Sequence, residues 1–141
     1  MHEYTTFLVA GRDAPARISA AARPELRVGA PPDFGGSDAW WSPEHLVCAA
    51  VASCFDLTLR AIAARQQLAY RQLVCSVRGS VGKTPRGLAF TQIVLSVELE
   101  VAAADAARAH AIIADAERHC IVTKSLNVPV VLEAQVTQAA A

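Results

Sequence analysis

The 141-residue sequence predicts an α+β domain in which helices pack on an antiparallel sheet. Three observations predict it. Residues 42–68 are largely apolar, contain no glycine and hold one proline, Pro43, where a helix tolerates it, so they suit a single long helix. Residues 90–101 place Ile93, Leu95, Val97, Leu99 and Val101 in strict alternation, as a strand with one buried face requires. Strand-like segments flank the long helix on both sides, and a second helical pattern separates the alternating strand from the last one.

The elements follow in order. Residues 4–9 are β-branched and aromatic and suit a strand; 11–15 read as a turn, and 16–28 as two short strands broken at Arg23-Pro24. Residues 31–38 combine prolines and glycines and predict a loop. Ser42 is a suitable N-cap for the long helix, and Glu44 lies where the helix dipole favours negative charge. The helix is apolar nearly all round in its first half, which predicts a buried central element. Arg60, Arg65, Gln66 and Gln67 bring its end out to water. Residues 72–81, with Val74, Val77 and Val81, predict a strand joined to 90–101 by a hairpin loop at 83–87. Residues 105–119 carry Ala109, Ile112, Ile113 and Ala116 on one helical stripe; 121–126 add a helical turn and 130–136 a closing strand. The length fits one domain over residues 1–141.

Hydrophobic residues make up 53% of the chain and charged ones 18%, which excludes disorder and predicts that some apolar surface faces a second subunit. Thirteen basic and thirteen acidic side chains cancel, without a basic run to hold nucleic acid. The N-terminus lacks the basic start and apolar run of a signal peptide. The most apolar run, 46–59, contains Asp56 and is shorter than the ~20 residues of a membrane span. These features predict a soluble, cytoplasmic protein.

Cysteines stand at 48, 54, 75 and 120 and form no C-x-x-C pair. In a reducing compartment they are not expected to form structural disulfides. Val47, Ala50, Cys54, Leu57 and Ala61 recur at helical spacing, so on pattern alone Cys54 reads first as a small core residue, with a reactive thiol as the alternative. Cys120 ends the second helix and, taken alone, reads as structural rather than reactive. His119 beside it reads as a solvated side chain. Cys48, Cys54, His119 and Cys120 lack zinc-ligand spacing, so no metal is expected.

The runs P-P-D-F-G-G (31–36), W-S-P-E-H-L (41–46) and A-A-V-A-S-C-F (49–55) resemble the centre of the OsmC/Ohr family, with its T/N/S-P-E-x-L helix start and a cysteine ten residues beyond the glutamate. A-E-R-H-C-I-V-T-K-S-L (116–126) resembles the family's second-cysteine segment, and N-V-P-V-V-L-E (127–133) its closing strand. The resemblance spans the chain in order. It implies an OsmC-like fold, with sheets around a long central helix, in an intertwined homodimer.

The resemblance also implies a thiol-dependent peroxidase acting on organic hydroperoxides, with Cys54 as the attacking thiolate, Cys120 as its disulfide partner and an external thiol as reductant. It implies no metal or organic cofactor. In the family an arginine stabilises the thiolate and a glutamate, here Glu44, holds that arginine. Arg12 in Gly11-Arg12-Asp13 resembles the turn that supplies it, with Arg17 as the rival. Phe34, Trp40, Trp41, Leu46 and Phe55 are the candidates for an apolar pocket wall, or else for core or dimer contacts. Two other functions fit the same residues: a catalytically silent member binding an apolar ligand at the dimer interface, and a redox sensor using a Cys54–Cys120 disulfide.

Overall fold

The computed structural model describes residues 1–139. They form two compact units, Met1–Val47 and the described residues from Cys48 onward. In the first, strands β1 (Phe7–Val9), β2 (Ala16–Ser19) and β3 (Leu26–Val28) make an antiparallel sheet in chain order, with Phe7 opposite Ser19 and Ala16 opposite Val28. The first strand is shorter than residues 4–9, and all three of its side chains are exposed. A short 3₁₀ turn, Pro32–Phe34, then folds the loop back on itself. The N–H groups of Gly36 and Ser37 donate to the carbonyls of Pro31 and Ala30, each at 3.0 Å. A Cβ on Gly36 would lie 1.7 Å from the Ala30 oxygen, so only glycine permits this closure. Trp41 bridges to Val28 in parallel, its carbonyl accepting from the Gly29 N–H at 2.9 Å. That bridge fixes where the next helix starts.

Helix α1 spans Pro43–Arg65. The Ser42 hydroxyl oxygen accepts the His45 N–H at 3.1 Å, satisfying one of the free donors of the first turn. The helix stops three residues short of the predicted Leu68. Gln67 adopts a left-handed conformation, φ 53°, and the N–H groups of Leu68 and Gln67 return to the carbonyls of Ala63 (2.9 Å) and Ala64 (3.3 Å). This is a Schellman cap, completed by the burial of Leu68 and Ala63. Glutamine is an unusual residue at that position, which is why the stop is invisible in the sequence.

In the second unit α1 buries Val51, Phe55, Leu59, Ile62 and Ala63. The predicted stripe through Leu57 and Ala61 is therefore displaced: both are exposed, Leu57 at 66%. A helix apolar almost all round has no unique phase, and the buried face is chosen by the larger Phe55 and Leu59. At 23 residues α1 is also long and apolar enough by composition to cross a membrane, a test that the core helix of a soluble protein passes equally. The Arg60 Nε donates to both Asp56 carboxylate oxygens at 2.9 Å on its exposed side.

The second sheet is β4 (Tyr70–Thr84), β5 (Gly87–Val101) and β6 (Val130–Gln138), in that order. The hairpin is longer than predicted, since Gly79, Gly82 and Pro85 resemble breaks but only Pro85-Arg86 lie outside the pairing. Val77 is half-buried while Val74 and Val81 are exposed, so the three valines fall on both faces of β4. A Cβ on Gly79 would meet the Phe90 ring at 2.5 Å and the Cys48 sulfur at 3.1 Å, so the missing side chain makes room for both.

The antiparallel prediction holds for β4–β5 and fails for β6, which runs parallel to β5 from Ile93↔Val130 onward. The connection between them contains α2 (Ala106–His119) and α3 (Ile121–Ser125), and such a helical crossover returns the chain in the same direction. The alternating residues of β5, from Ile93 to Val101, are all buried, as are Ala109, Ile112, Ile113 and Ala116 of α2. With Phe55 and Leu59 they form the core; each large side chain contributes about 1.5–3 kcal/mol by leaving water.

Candidate active site

Cys54 lies on α1 at the edge of its buried face and is half-buried; Cys120 is fully buried. Cys120 stands between α2 and α3 with φ −65° and ψ 115°, an extended residue that lets the chain turn from one helix into the next. That turn brings its thiol close enough to Cys54 for each to influence the other's ionisation. The Val122 and Ile121 N–H groups, free of helical acceptors at the start of α3, favour the ionised form of Cys54. The Thr58 hydroxyl donates to the Cys54 carbonyl at 2.8 Å.

This environment splits the two thiols. Burial pushes Cys54 up, but the Cys120 thiol, the two backbone N–H groups and the Thr58 hydroxyl outweigh it, and Cys54 falls below the ordinary thiol value. Burial raises Cys120, and the nearness of Cys54 adds to the rise, only partly offset by Thr123. Chemically, the more accessible sulfur is the more readily ionised of the two, and its buried partner the less.

The other two cysteines lie elsewhere. Cys48 packs against Gly79 in the second unit. Cys75, on β4, is raised by burial and then by the negative charge of Asp56, so it is a poor nucleophile. Among the described residues no group of three His, Cys, Asp or Glu side chains is placed to hold a metal ion.

Glu44 is half-buried and its Oε2 is buried without a hydrogen-bond partner. Arg12 is exposed and forms no ion pair among the described residues, so the Arg12–Glu44 contact is not made in this structure. Arg17 sits 4.0 Å from Glu25.

The aromatic candidates separate. Trp40 and Trp41 line a hollow of about 250 Å³ with Asp38, Ala39 and His45. Trp40 also borders a groove of about 570 Å³ with Val9, Arg17 and Arg27, and the Arg27 guanidinium lies 5.5 Å over its ring. Phe34 is exposed and Leu46 half-buried, and neither lines these hollows. Phe55 is 0% exposed and belongs to the core, not to a pocket wall. Sequence reasoning missed Thr58 and the N–H groups of Ile121 and Val122. A threonine one turn beyond a helical cysteine could have been noticed, but backbone donors leave no mark in a sequence.

The fold has close parallels. An OsmC-like protein of unknown function from Vibrio cholerae O1 biovar eltor superposes with a TM-score of 0.88 at 19% identity, over 96% of this chain and 100% of that one. An organic hydroperoxide resistance protein from Elizabethkingia anophelis gives 0.80 at 19% identity, over 99% and 98%. The organic hydroperoxide resistance protein OhrB of Bacillus subtilis gives 0.69 at 20%, over 95% and 98%. A comparison with curated proteins finds no significant match. The family model described as OsmC-like protein matches residues 35–134, the stretch that holds both the helix of Cys54 and the turn of Cys120, and the chain belongs to that family.

Proposed function

We propose that the protein is a thiol-dependent peroxidase that reduces organic hydroperoxides. The observation that carries this reading is the pair of neighbouring thiols, one lowered and partly open, the other buried and raised. The Cys54 thiolate attacks the distal peroxide oxygen; the O–O bond breaks, the sulfur becomes a sulfenic acid and the alkoxide leaves, taking a proton to become the alcohol. The Cys120 thiol then attacks that sulfur, forming the disulfide and releasing water. Two equivalents of an external thiol reduce the disulfide and are themselves oxidised. The solved hydroperoxide resistance proteins of the same fold support the choice of organic peroxides.

The test is steady consumption of an organic hydroperoxide with a dithiol, followed by peptide mapping after one equivalent of peroxide. Turnover with a Cys54–Cys120 bridge, and with Cys48 and Cys75 still reduced, is the expected result. A Cys54–Cys48 bridge would overturn the pairing. An absence of turnover with intact bridge formation would favour a redox sensor instead.

The working form is a homodimer in the cytoplasm. Phe7, Leu8 and Val9 of β1, with Leu57, Leu88 and Ile121, expose large apolar surface in the single chain, which a second copy would cover. Sedimentation at micromolar concentration should give twice the chain mass; a stable monomer would refute the dimer.

Glu44 acts by holding an arginine, since its own charge opposes a thiolate. Its unpartnered buried Oε2 is the observation behind this role. Arg12→Ala should slow oxidation more than Glu44→Gln, by about tenfold against a few-fold, with Arg17→Ala nearly neutral. The rate with an organic hydroperoxide decides. A damaging Arg17→Ala beside a silent Arg12→Ala would transfer the role to Arg17.

A further inference from the structure

We propose that Arg108 is a positioning residue for the Cys54–Cys120 pair: it docks the start of α2 on the end of α1 and so fixes how far along α1 the other end of α2 delivers Cys120. The inference rests on the proposed disulfide chemistry and goes beyond it, by naming a group remote from both sulfurs that sets whether they meet.

The clamp is built from side chain to backbone. Helix α1 stops at the left-handed Gln67, and a helix end leaves carbonyl oxygens without helical donors. Arg108 supplies them: its Nη1 donates to the Gln66 carbonyl at 3.2 Å and its Nη2 to the Gln67 carbonyl at 3.3 Å. The same Nη2 lies 3.2 Å from Asp105 Oδ1, which holds the guanidinium in place. A planar fork with fixed donor directions suits two adjacent carbonyls, and its charge suits the negative end of the α1 dipole.

Two local rules are broken at this one place. Arg108 stands in the first turn of α2, where that helix's own dipole disfavours a cation. Asp105 is the N-cap of α2 and makes no capping hydrogen bond there. Both residues forgo their service to α2 and are engaged at the end of α1 instead. The ion pair is half-exposed and stabilises little by itself, so its effect lies in where it puts α2.

Gln66 lies twelve positions after Cys54, and Arg108 lies twelve positions before Cys120. At 1.5 Å of rise per residue both spans are about 18 Å. With α2 running back along α1, a clamp at one end therefore brings the two cysteines level at the other. Between these ends Leu59, Ile62 and Ala63 share a core with Ala109, Ile112 and Ala116. Apolar burial is non-directional and tolerates a small slide of one helix along the other; hydrogen bonds to two carbonyls do not. A disulfide has a narrow geometry, so such a slide decides whether the bridge closes without strain.

The test is the equilibrium of the Cys54–Cys120 bridge in a glutathione redox buffer, quantified on trapped peptides, with thermal melts to show that each protein is folded. In that exchange the two thiols lose two electrons and two protons to glutathione disulfide, which becomes two glutathione thiols. The equilibrium is read within the folded protein, so a purely stabilising role for Arg108 would not move it. Arg108→Gln should weaken the bridge by about tenfold, as a misplacement of a fraction of an ångström would do. Arg108→Lys keeps the charge but not the fork, and should fall between glutamine and wild type. Ile112→Val loosens the same packing without touching the clamp, and should stay within about twofold of wild type. An Arg108→Gln bridge as stable as wild type's would overturn the proposal. So would an Ile112→Val loss as large as glutamine's, because general loosening would then suffice. The assay needs no peroxide: a wild type that forms the bridge but consumes no hydroperoxide would end the peroxidase reading and leave this one standing.

Discussion

Cys54→Ser should lower hydroperoxide reduction at least about a thousandfold, because a serine hydroxyl is neither ionised near neutral pH nor able to be oxidised by a peroxide. Cys120→Ser should behave differently. Cys54 keeps the favourable influence of the Ile121 and Val122 N–H groups and of the Thr58 hydroxyl, so the first oxidation still occurs. The sulfenic acid then has no neighbouring thiol to condense with. It accumulates, seen by mass spectrometry as one added oxygen on the Cys54 peptide, and excess peroxide carries it on to sulfinic acid. Loss of the Cys120 thiol also removes one of the influences that lower Cys54, so that single oxidation should be slower than in wild type. A Cys54→Ser protein that still turns over peroxide would end the assignment of the nucleophile. A Cys120→Ser protein with normal steady turnover would show that an external thiol resolves the sulfenic acid directly.

The parts of the fold that announce themselves in the sequence are those in which one local period decides the outcome. β5 alternates strictly from Ile93 to Val101 and is buried on that face, and α2 carries a narrow stripe ending at Ala116. Ser42 and Pro43 mark the start of α1 by capping chemistry alone. The failures share a cause as well. The direction of β6, the phase of α1 and the stop at Gln67 are set by tertiary context, and an all-round apolar helix or a left-handed glutamine has no local signature. The cysteine pair is the extreme case. Cys54 and Cys120 stand 66 positions apart in the chain and no periodicity links them; only their order among family-like segments does. Their proximity depends on the extended backbone at Cys120, which no residue type dictates.

Phe55→Ala should destabilise the protein by about 3–5 kcal/mol, the range for deleting a fully buried phenylalanine. Next to the candidate nucleophile in sequence, Phe55 invites assignment to a substrate pocket. Its ring instead lies in the core, which it shares with Leu59, Leu95 and Ile113, and it is 0% exposed. Neighbouring residues on a helix diverge by about 100°, so Cys54 can sit at the edge of the buried face while Phe55 points into it. Removing the ring leaves a cavity against side chains from α1, β5 and α2 at once, and these cannot all collapse into it. Urea unfolding should show the loss as a lower midpoint with an unchanged slope, and Phe55→Leu should recover most of it, since leucine refills much of the volume. A wall residue would give the opposite pattern: a loss under about 1 kcal/mol, with a raised KM for bulky hydroperoxides. Measuring both quantities on the same protein separates the two roles, and the core role requires that stability fall while KM for those hydroperoxides stays near its wild-type value in whatever fraction remains folded.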